Sequence, residues 1–351
     1  MYHRTSSAKE KRAAEPEPEP EPEPDSHGGQ PFKALARHKR GHNHRHDRRA
    51  NAVVTVTETT YITSTRHLAA STCSSCSTTA GTTPPPAVNN GVAPAPAVAP
   101  APAATGSYAW TRDSYYNAAT GEQDNMVFLN HLGGTNGSGA WDSCFGNTLS
   151  YANCDGVTAA QAPTVLENVL IPSDQEIVAF TNVACDSSCG YVRPGTPAYK
   201  GFDTSSDVVF LLEFMMPRDS GSGFNVDMSA AWFLNAQIPR TLQYGNADCS
   251  CWTTGCGEWD VFEILSTGSN YLTSTLHTWQ GTGTQYGGGG CSDYIDRPLT
   301  SYMQAAIILS VEDMTMSIVV IEPIGDFGEG LDDSTVSSWS ETAGSDVDIA
   351  G

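Results

Sequence analysis

A change of texture near residue 107 constrains this chain more than any other feature of it. Before that point the sequence cannot build a core. Residues 15–24 read Glu-Pro five times over, and alternating a charge with an imino acid permits neither a helix interior nor a sheet ladder. From Thr55 to Thr83, 16 of 29 residues are Ser or Thr, and from Pro84 to Pro102 the chain is a Pro/Ala/Val tract ending in repeated Ala-Pro. That composition suits an O-glycosylated stalk and an extended linker, or the same linker left unmodified. After Tyr108, short apolar or alternating runs are separated by Gly, Asn, Asp, Ser and Pro, the pattern of a many-stranded antiparallel protein.

Strands are expected near 126–130, 176–182, 207–215, 229–235, 258–265, 271–278, 304–311 and 315–322, and helical periodicity is nowhere sustained. Eight or more strands over about 235 residues fit an all-β, two-sheet sandwich of the jelly-roll kind. The expected organisation is a disordered, propeptide-like segment over 1–50, a Ser/Thr- and Pro/Ala-rich stalk and linker over 51–106, the β-sandwich over 107–340 and an acidic tail over 341–351. Lys11-Arg12, Lys39-Arg40 and Arg48-Arg49 are dibasic pairs that kexin-type proteases could reach in disordered sequence, although basic pairs also arise by chance in a basic tail.

Charge narrows the partners. Of 18 Lys and Arg and 39 Asp and Glu, residues 1–104 hold 12 and 9, which leaves 6 against 30 and a net charge of −24 for 105–351. A body this acidic repels phosphate backbones, so nucleic acid is not an expected partner. No run of 18 or more apolar residues exists, so no membrane-spanning segment is expected.

Ten cysteines divide into Cys73 and Cys76 in the stalk and eight in the folded part, an even split that allows each part to pair internally. Cys144 with Cys154 and Cys185 with Cys189 are the expected short loops. Cys249, Cys251 and Cys256 are spaced like metal ligands but have no nearby His, so disulfides are expected there, with no metal and no cofactor. Oxidised cysteines, the stalk and the sequon Asn136-Gly137-Ser138 indicate secretion. The N-terminus Met-Tyr-His-Arg-Thr-Ser-Ser-Ala-Lys lacks the apolar stretch of a signal peptide, which favours a truncated start, and the C-terminus lacks the apolar tail of a lipid-anchor signal.

The segment that carries chemistry is Cys256-Gly257-Glu258-Trp259-Asp260-Val261-Phe262-Glu263-Ile264-Leu265. Three carboxylates occupy what otherwise reads as a strand, where an acid is costly unless it faces a wet cleft or has a partner. In a regular strand Glu258, Asp260 and Phe262 share one face and Glu263 points away. A single β-bulge between Asp260 and Glu263 would turn Glu263 back and line one cleft with three acids. Retaining glycoside hydrolysis uses such a set: a carboxylate nucleophile, a carboxylic acid about 5 Å across the scissile bond, and a third acid that tunes them. Glu258 would attack the anomeric carbon, Glu263 would act as acid and base, and Asp260 would hold one of them in its working state. An exposed edge strand or a calcium site are the competing readings of the same acids.

The neighbouring runs add apolar platforms. Ser229-Ala230-Ala231-Trp232-Phe233-Leu234 lies upstream and Ser274-Thr275-Leu276-His277-Thr278-Trp279 downstream. Flat aromatic faces stack on pyranose rings, so Trp232, Trp252 and Trp279 are candidate sugar platforms, each equally readable as core. His277 is readable as a structural residue or as a hydrogen-bonding neighbour of the acids, and Trp259, alternating with Glu258 and Asp260, is expected to face the core.

In order and spacing, Ala-Ala-Trp-Phe-Leu, Gly-Glu-Trp-Asp-Val-Phe-Glu and Ser-Thr-Leu-His resemble the core of glycoside hydrolase family 16, the laminarinase and lichenase group. Met126 to Gly134, Phe145-Gly146-Asn147 and Leu234 to Asn246 bring the chain closer still to fungal cell-wall proteins of the Tos type, over roughly residues 107–340. The resemblance implies a concanavalin-like jelly roll and a secreted, retaining, endo-acting β-1,3-glucanase acting in the cell wall on β-glucan. It further implies Glu258 as nucleophile, Asp260 as assisting acid and Glu263 as acid/base; Trp232, His277 and Trp279 are the residues that the neighbouring runs place as candidates against the substrate. A β-glucan transglycosylase or a non-catalytic glucan-binding wall protein are its alternatives. Trp259 departs from the small aliphatic usual there in family 16, which bears on substrate preference.

Overall fold

Runs of Val, Ile, Leu and Phe that alternate or cluster between turn residues become strands, because branched and aromatic side chains pack well on a pleated surface. The computed structural model describes residues 1–5, 53–55, 108–134, 139–173, 175–222, 225–242, 257–277, 294–342 and 345–348. In chain order the strands are β1 (Tyr2–Arg4), β2 (Val53–Thr55), β3 (Trp110–Arg112), β4 (Tyr115–Asn117), β5 (Glu122–Asp124) and β6 (Val127–Asn130). There follow β7 (Ser150–Ala152), β8 (Ala159–Ala160), β9 (Glu176–Phe180), β10 (Val208–Phe214) and β11 (Ala230–Leu234), with a short helix α1 (Gln237–Thr241). The chain then forms β12 (Glu258–Glu263), β13 (Tyr271–His277), β14 (Ile295–Asp296), β15 (Met303–Ser310), β16 (Thr315–Ile321) and β17 (Gly330–Leu331). Helix α2 (Asp333–Thr342) and β18 (Ser345–Asp348) complete it.

Two sheets make an all-β, jelly-roll-like sandwich. The first has seven strands in the order β17-β3-β1-β10-β15-β16-β18, and the second nine in the order β14-β13-β12-β11-β2-β9-β6-β7-β8. Between them Phe210, Leu212, Ala231, Trp259, Val261, Phe262, Leu272, Ile307 and Ile318 form one buried cluster. The opposite face of the first sheet is also covered, with Val209, Leu211, Ile308 and Val319 packed beneath Val336 and Trp339 of α2. One sheet is therefore dry on both faces, and the outward face of the other is left to carry a site.

All eight long strands expected from sequence are present, within a residue or two at each end. Two segments differ from the expected organisation. Tyr2–Arg4, placed by sequence in the propeptide-like segment, pairs with β10 and β3 at the centre of the first sheet, and the Tyr2 hydroxyl donates to Gly328 O at 2.7 Å. Residues Ser345–Asp348, placed in the acidic tail, pair with β16 as an edge strand. Three or four residues are too few to show a period, and a partner more than a hundred residues away is invisible to local patterning. No helix among the described residues is long and apolar enough to cross a membrane.

Candidate active site on the outward face of β12

Gly257 precedes β12 with φ +76°, a left-handed conformation that suits glycine, and its carbonyl accepts from Asn235 N at 3.1 Å. β12 then runs between β11 and β13. Glu258 pairs with Leu234 and His277, and Asp260 pairs with Trp232 and Thr275. Beyond Asp260 the register slips on both sides: Glu263 pairs with Ala230 of β11 and with Thr273 of β13. Three steps along β12 thus match two steps on each neighbour, which is one inserted residue. Val261 and Phe262, consecutive in sequence, both enter the inter-sheet core, and the Phe262 ring lies 4.9 Å from that of Phe214. Glu263 is returned to the face of Glu258 and Asp260.

The same face carries Trp232, which clusters with Ala230 and Leu234 apart from the main core. Its ring is 7% exposed, and its indole Nε1 has no hydrogen-bond partner among the described residues. Asp260 and Glu263 are buried at 3% and 6% exposure, and Glu258 is half-buried. Thr273 Oγ1 donates to Glu263 O at 3.2 Å and so ties the strand on the far side of the bulge. Trp259 points the other way as expected: its Nε1 donates to Ser274 Oγ at 3.0 Å, and its ring stacks 6.0 Å from Phe233.

Of the remaining candidates, His277 ends β13 opposite Glu258 in backbone register. Trp279 and Trp252 lie outside the described residues, as do Cys73, Cys76 and the sequon at Asn136. Cys185 and Cys189 are bonded to each other, and Cys144 and Cys154 are each disulfide-bonded. No group of three or more His, Cys, Asp or Glu is arranged to hold a metal ion among the described residues.

Spacing missed a second polar pair on this face. Glu263 pairs with Ala230, Ala230 with Val53 of β2, and Val53 with Glu176 of β9, so a single row of the sheet runs from Glu263 to Glu176. His131 Nε2 lies 3.4 Å from Glu176 Oε1. Nearby, Tyr151 and Tyr199 meet through their hydroxyls at 3.1 Å, packed with Val178 and Phe180. His131, Tyr151, Glu176 and Tyr199 are separated by up to 68 positions in sequence, and only the sheet order makes them neighbours.

The chain has relatives among known proteins. The family model described as "Cell wall protein YJL171C/Tos1, C-terminal" matches residues 108–339. A Schizosaccharomyces pombe protein named probable circularly permuted 1,3-beta-glucanase is 49% identical over 243 residues, 69% of this chain and 48% of that protein. Proteins of the same description named TOS1 are 49% identical in Candida albicans, over 68% of this chain and 50% of theirs, and 46% in Saccharomyces cerevisiae, over 67% and 50%. The chain spans about half the length of the curated relatives it matches. No solved structure matches it.

Proposed function

We propose that this chain, which belongs to the family of the C-terminal part of cell wall protein YJL171C/Tos1, is a retaining, endo-acting β-1,3-glucanase of the fungal cell wall. The observation that carries the reading is the bulge in β12, which puts Glu258, Asp260 and Glu263 on one outward face. In the first step a Glu258 oxygen attacks the anomeric carbon while the bond to the leaving oxygen breaks and Glu263 gives that oxygen its proton. In the second, Glu263, now a carboxylate, takes a proton from water, whose oxygen attacks the same carbon and releases Glu258. Asp260, between them, biases their protonation through its charge.

Neutral sugar is favoured over uronate or sulfated polymer by the disposition of the cations. The six Lys and Arg of residues 105–351 are all engaged within the fold. Arg112 donates to Phe327 O, Arg193 to four carbonyls, and Arg240 to Tyr199 O and Cys189 O; Lys200 pairs with Asp186, and Arg218 and Arg297 pair with Asp227. The Cys185–Cys189 bridge supports an oxidising, secreted setting. The relatives' descriptions as 1,3-beta-glucanases and as cell wall proteins support the substrate and the location.

The test is to incubate the full chain with a reduced β-1,3-glucan oligosaccharide and follow products by mass spectrometry beside the Glu258→Gln variant. Shorter products that fall on the order of a thousandfold in the variant, with the melting temperature unchanged, are expected. Longer products would replace water by a sugar hydroxyl as acceptor. No product from a folded chain on this or on mixed-linkage glucan would overturn the reading.

A further inference from the structure

Two large aromatic rings outside the acid face are exposed on a mount closed by hydrogen bonds. Trp141 is 63% exposed and Tyr191 56% exposed. Tyr191 stacks on Phe145 with ring centroids 5.9 Å apart and planes 30° from parallel. Beneath them Arg193, itself 5% exposed, donates from Nη1 to Phe145 O and Asn147 O at 3.2 and 2.8 Å, and from Nη2 to Ala140 O and Gly146 O at 3.1 and 2.8 Å. The loop that carries Trp141 and Phe145 is further closed by Asp142, whose Oδ1 accepts from Cys144 N and Phe145 N at 2.7 and 2.9 Å. Gly134, at φ +83°, permits the approach, since a Cβ there would come within 2.5 Å of Trp141 N.

This mount is tied to the acid strand. Arg193 N donates to Arg240 O in α1, Arg240 holds Tyr199 O and Cys189 O, and α1 begins three residues after Leu234, the cross-strand partner of Glu258. The rings therefore sit on loops rather than on the strand itself, and α1 connects those loops to the cross-strand partner of Glu258. Four carbonyls consume the one cation of the mount, so the platform offers flat apolar faces without a free positive charge. An acidic polymer or an anionic membrane finds nothing to pair with there, while the C–H face of a neutral pyranose does. A ring already stacked, as Tyr191 is on Phe145, loses little entropy when a ligand covers it.

We propose that Trp141 and Tyr191, backed by Phe145 and held by Arg193, form a remote subsite that grips a glucan chain several sugar units away from the acids. The inference rests on the proposed glucanase function and adds to it that polymer is held by a surface that short oligosaccharides do not reach.

The test uses the full chain carrying Glu258→Gln, so that glucan is bound without being consumed, with and without Trp141→Ala and Tyr191→Ala together. Affinity electrophoresis in a soluble β-1,3-glucan and calorimetric binding of a β-1,3-linked trisaccharide are compared. The expected result is a roughly tenfold weaker polymer affinity, with trisaccharide binding and melting temperature unchanged. Tyr191→Phe, which keeps the ring, retains polymer binding. If the parent is retarded and the double variant equally so, the subsite is overturned while the glucanase reading stands. If trisaccharide binding falls in parallel with polymer binding, the subsite is not remote and the proposal fails. If the parent itself ignores β-1,3-glucan, the substrate reading fails and the subsite with it.

Discussion

Trp259 lies between Glu258 and Asp260 in sequence, yet its ring turns to the other side of the strand. Its ring is stacked on Phe233 in the inter-sheet core, and its Nε1 donates to Ser274 Oγ, itself buried. Its size therefore bears on how the two sheets pack, whereas the departure from the small aliphatic usual in family 16 had tied it to substrate preference. Trp259→Phe keeps most of the apolar contact but leaves the Ser274 hydroxyl without its donor. A loss of about 1–2 kcal/mol is expected, a fall of roughly 2–8 °C in melting temperature for a domain of this size, with the preference among glucan linkages unchanged. Thermal melts and rates on two linkage types read the two halves separately; altered preference at unaltered stability would refute the assignment. The alternation that places Trp259 inward was legible from Glu258-Trp259-Asp260 alone, because period two is a local property of a strand. Its partner Ser274 was not.

At the scale of the element, β12 depends on one extra residue. Val261 is the point at which three steps of this strand match two of β11 and β13, and it sends Phe262 inward so that Glu263 can face outward. Deleting Val261 removes the inserted residue, so that Asp260, Phe262 and Glu263 alternate regularly and Glu263 keeps the face of Glu258 and Asp260. Turnover is therefore expected to survive the deletion, with a melting temperature lowered by the loss of the Val261 side chain from the core. Val261→Ala keeps the bulge and removes two methyl groups from the core, so it costs about 1–3 kcal/mol while turnover survives. Loss of turnover from a folded deletion variant, with the alanine variant still active, would mean that the bulge sets more than the shared face of the acids. The need for a bulge was readable from the Glu-x-Asp-x-x-Glu spacing, since three acids can share a face only if the strand slips once. The strands that receive it were not, because register is a property of pairs.

Across the whole molecule, Asp227 joins three separate stretches of chain. Its Oδ1 accepts from Arg297 Nη2 at 2.6 Å and from Asp219 N at 3.0 Å; its Oδ2 accepts from Arg218 Nη1 at 2.9 Å and from Gly268 N at 3.0 Å. Burial works to raise its pKa, but Arg297, the backbone of Asp219, Arg218 and the backbone of Gly268 together hold the carboxyl well below the usual carboxylate range. A folded-state value below the unfolded one means that the stabilisation is complete above the unfolded pKa of about 4 and is lost as pH falls below it. Melting temperature is thus expected to drop steeply between about pH 4 and pH 2. Asp227→Asn should begin lower at neutral pH, by about 3–5 kcal/mol for an unpaired buried Arg297, and then lose less over that acid window. Parallel acid profiles for the two proteins would show that this network does not carry the pH dependence.

The amino-acid sequence by itself determined the eight long strands, the acidic body and the spacing of the acids at 258, 260 and 263, because composition and period two are local properties that no distant partner can alter. Tertiary structure alone decided that Tyr2–Arg4 fills the middle of a sheet, that Ser345–Asp348 closes its edge, that Val261 is the bulged residue, and that Glu176 and His131 lie in the same row as Glu263. It also decided that Arg193 would be spent on four carbonyls beneath two exposed rings. Each of these depends on strand register and on loop contacts across tens to hundreds of positions, and such pairings are set by the packing of two sheets against each other.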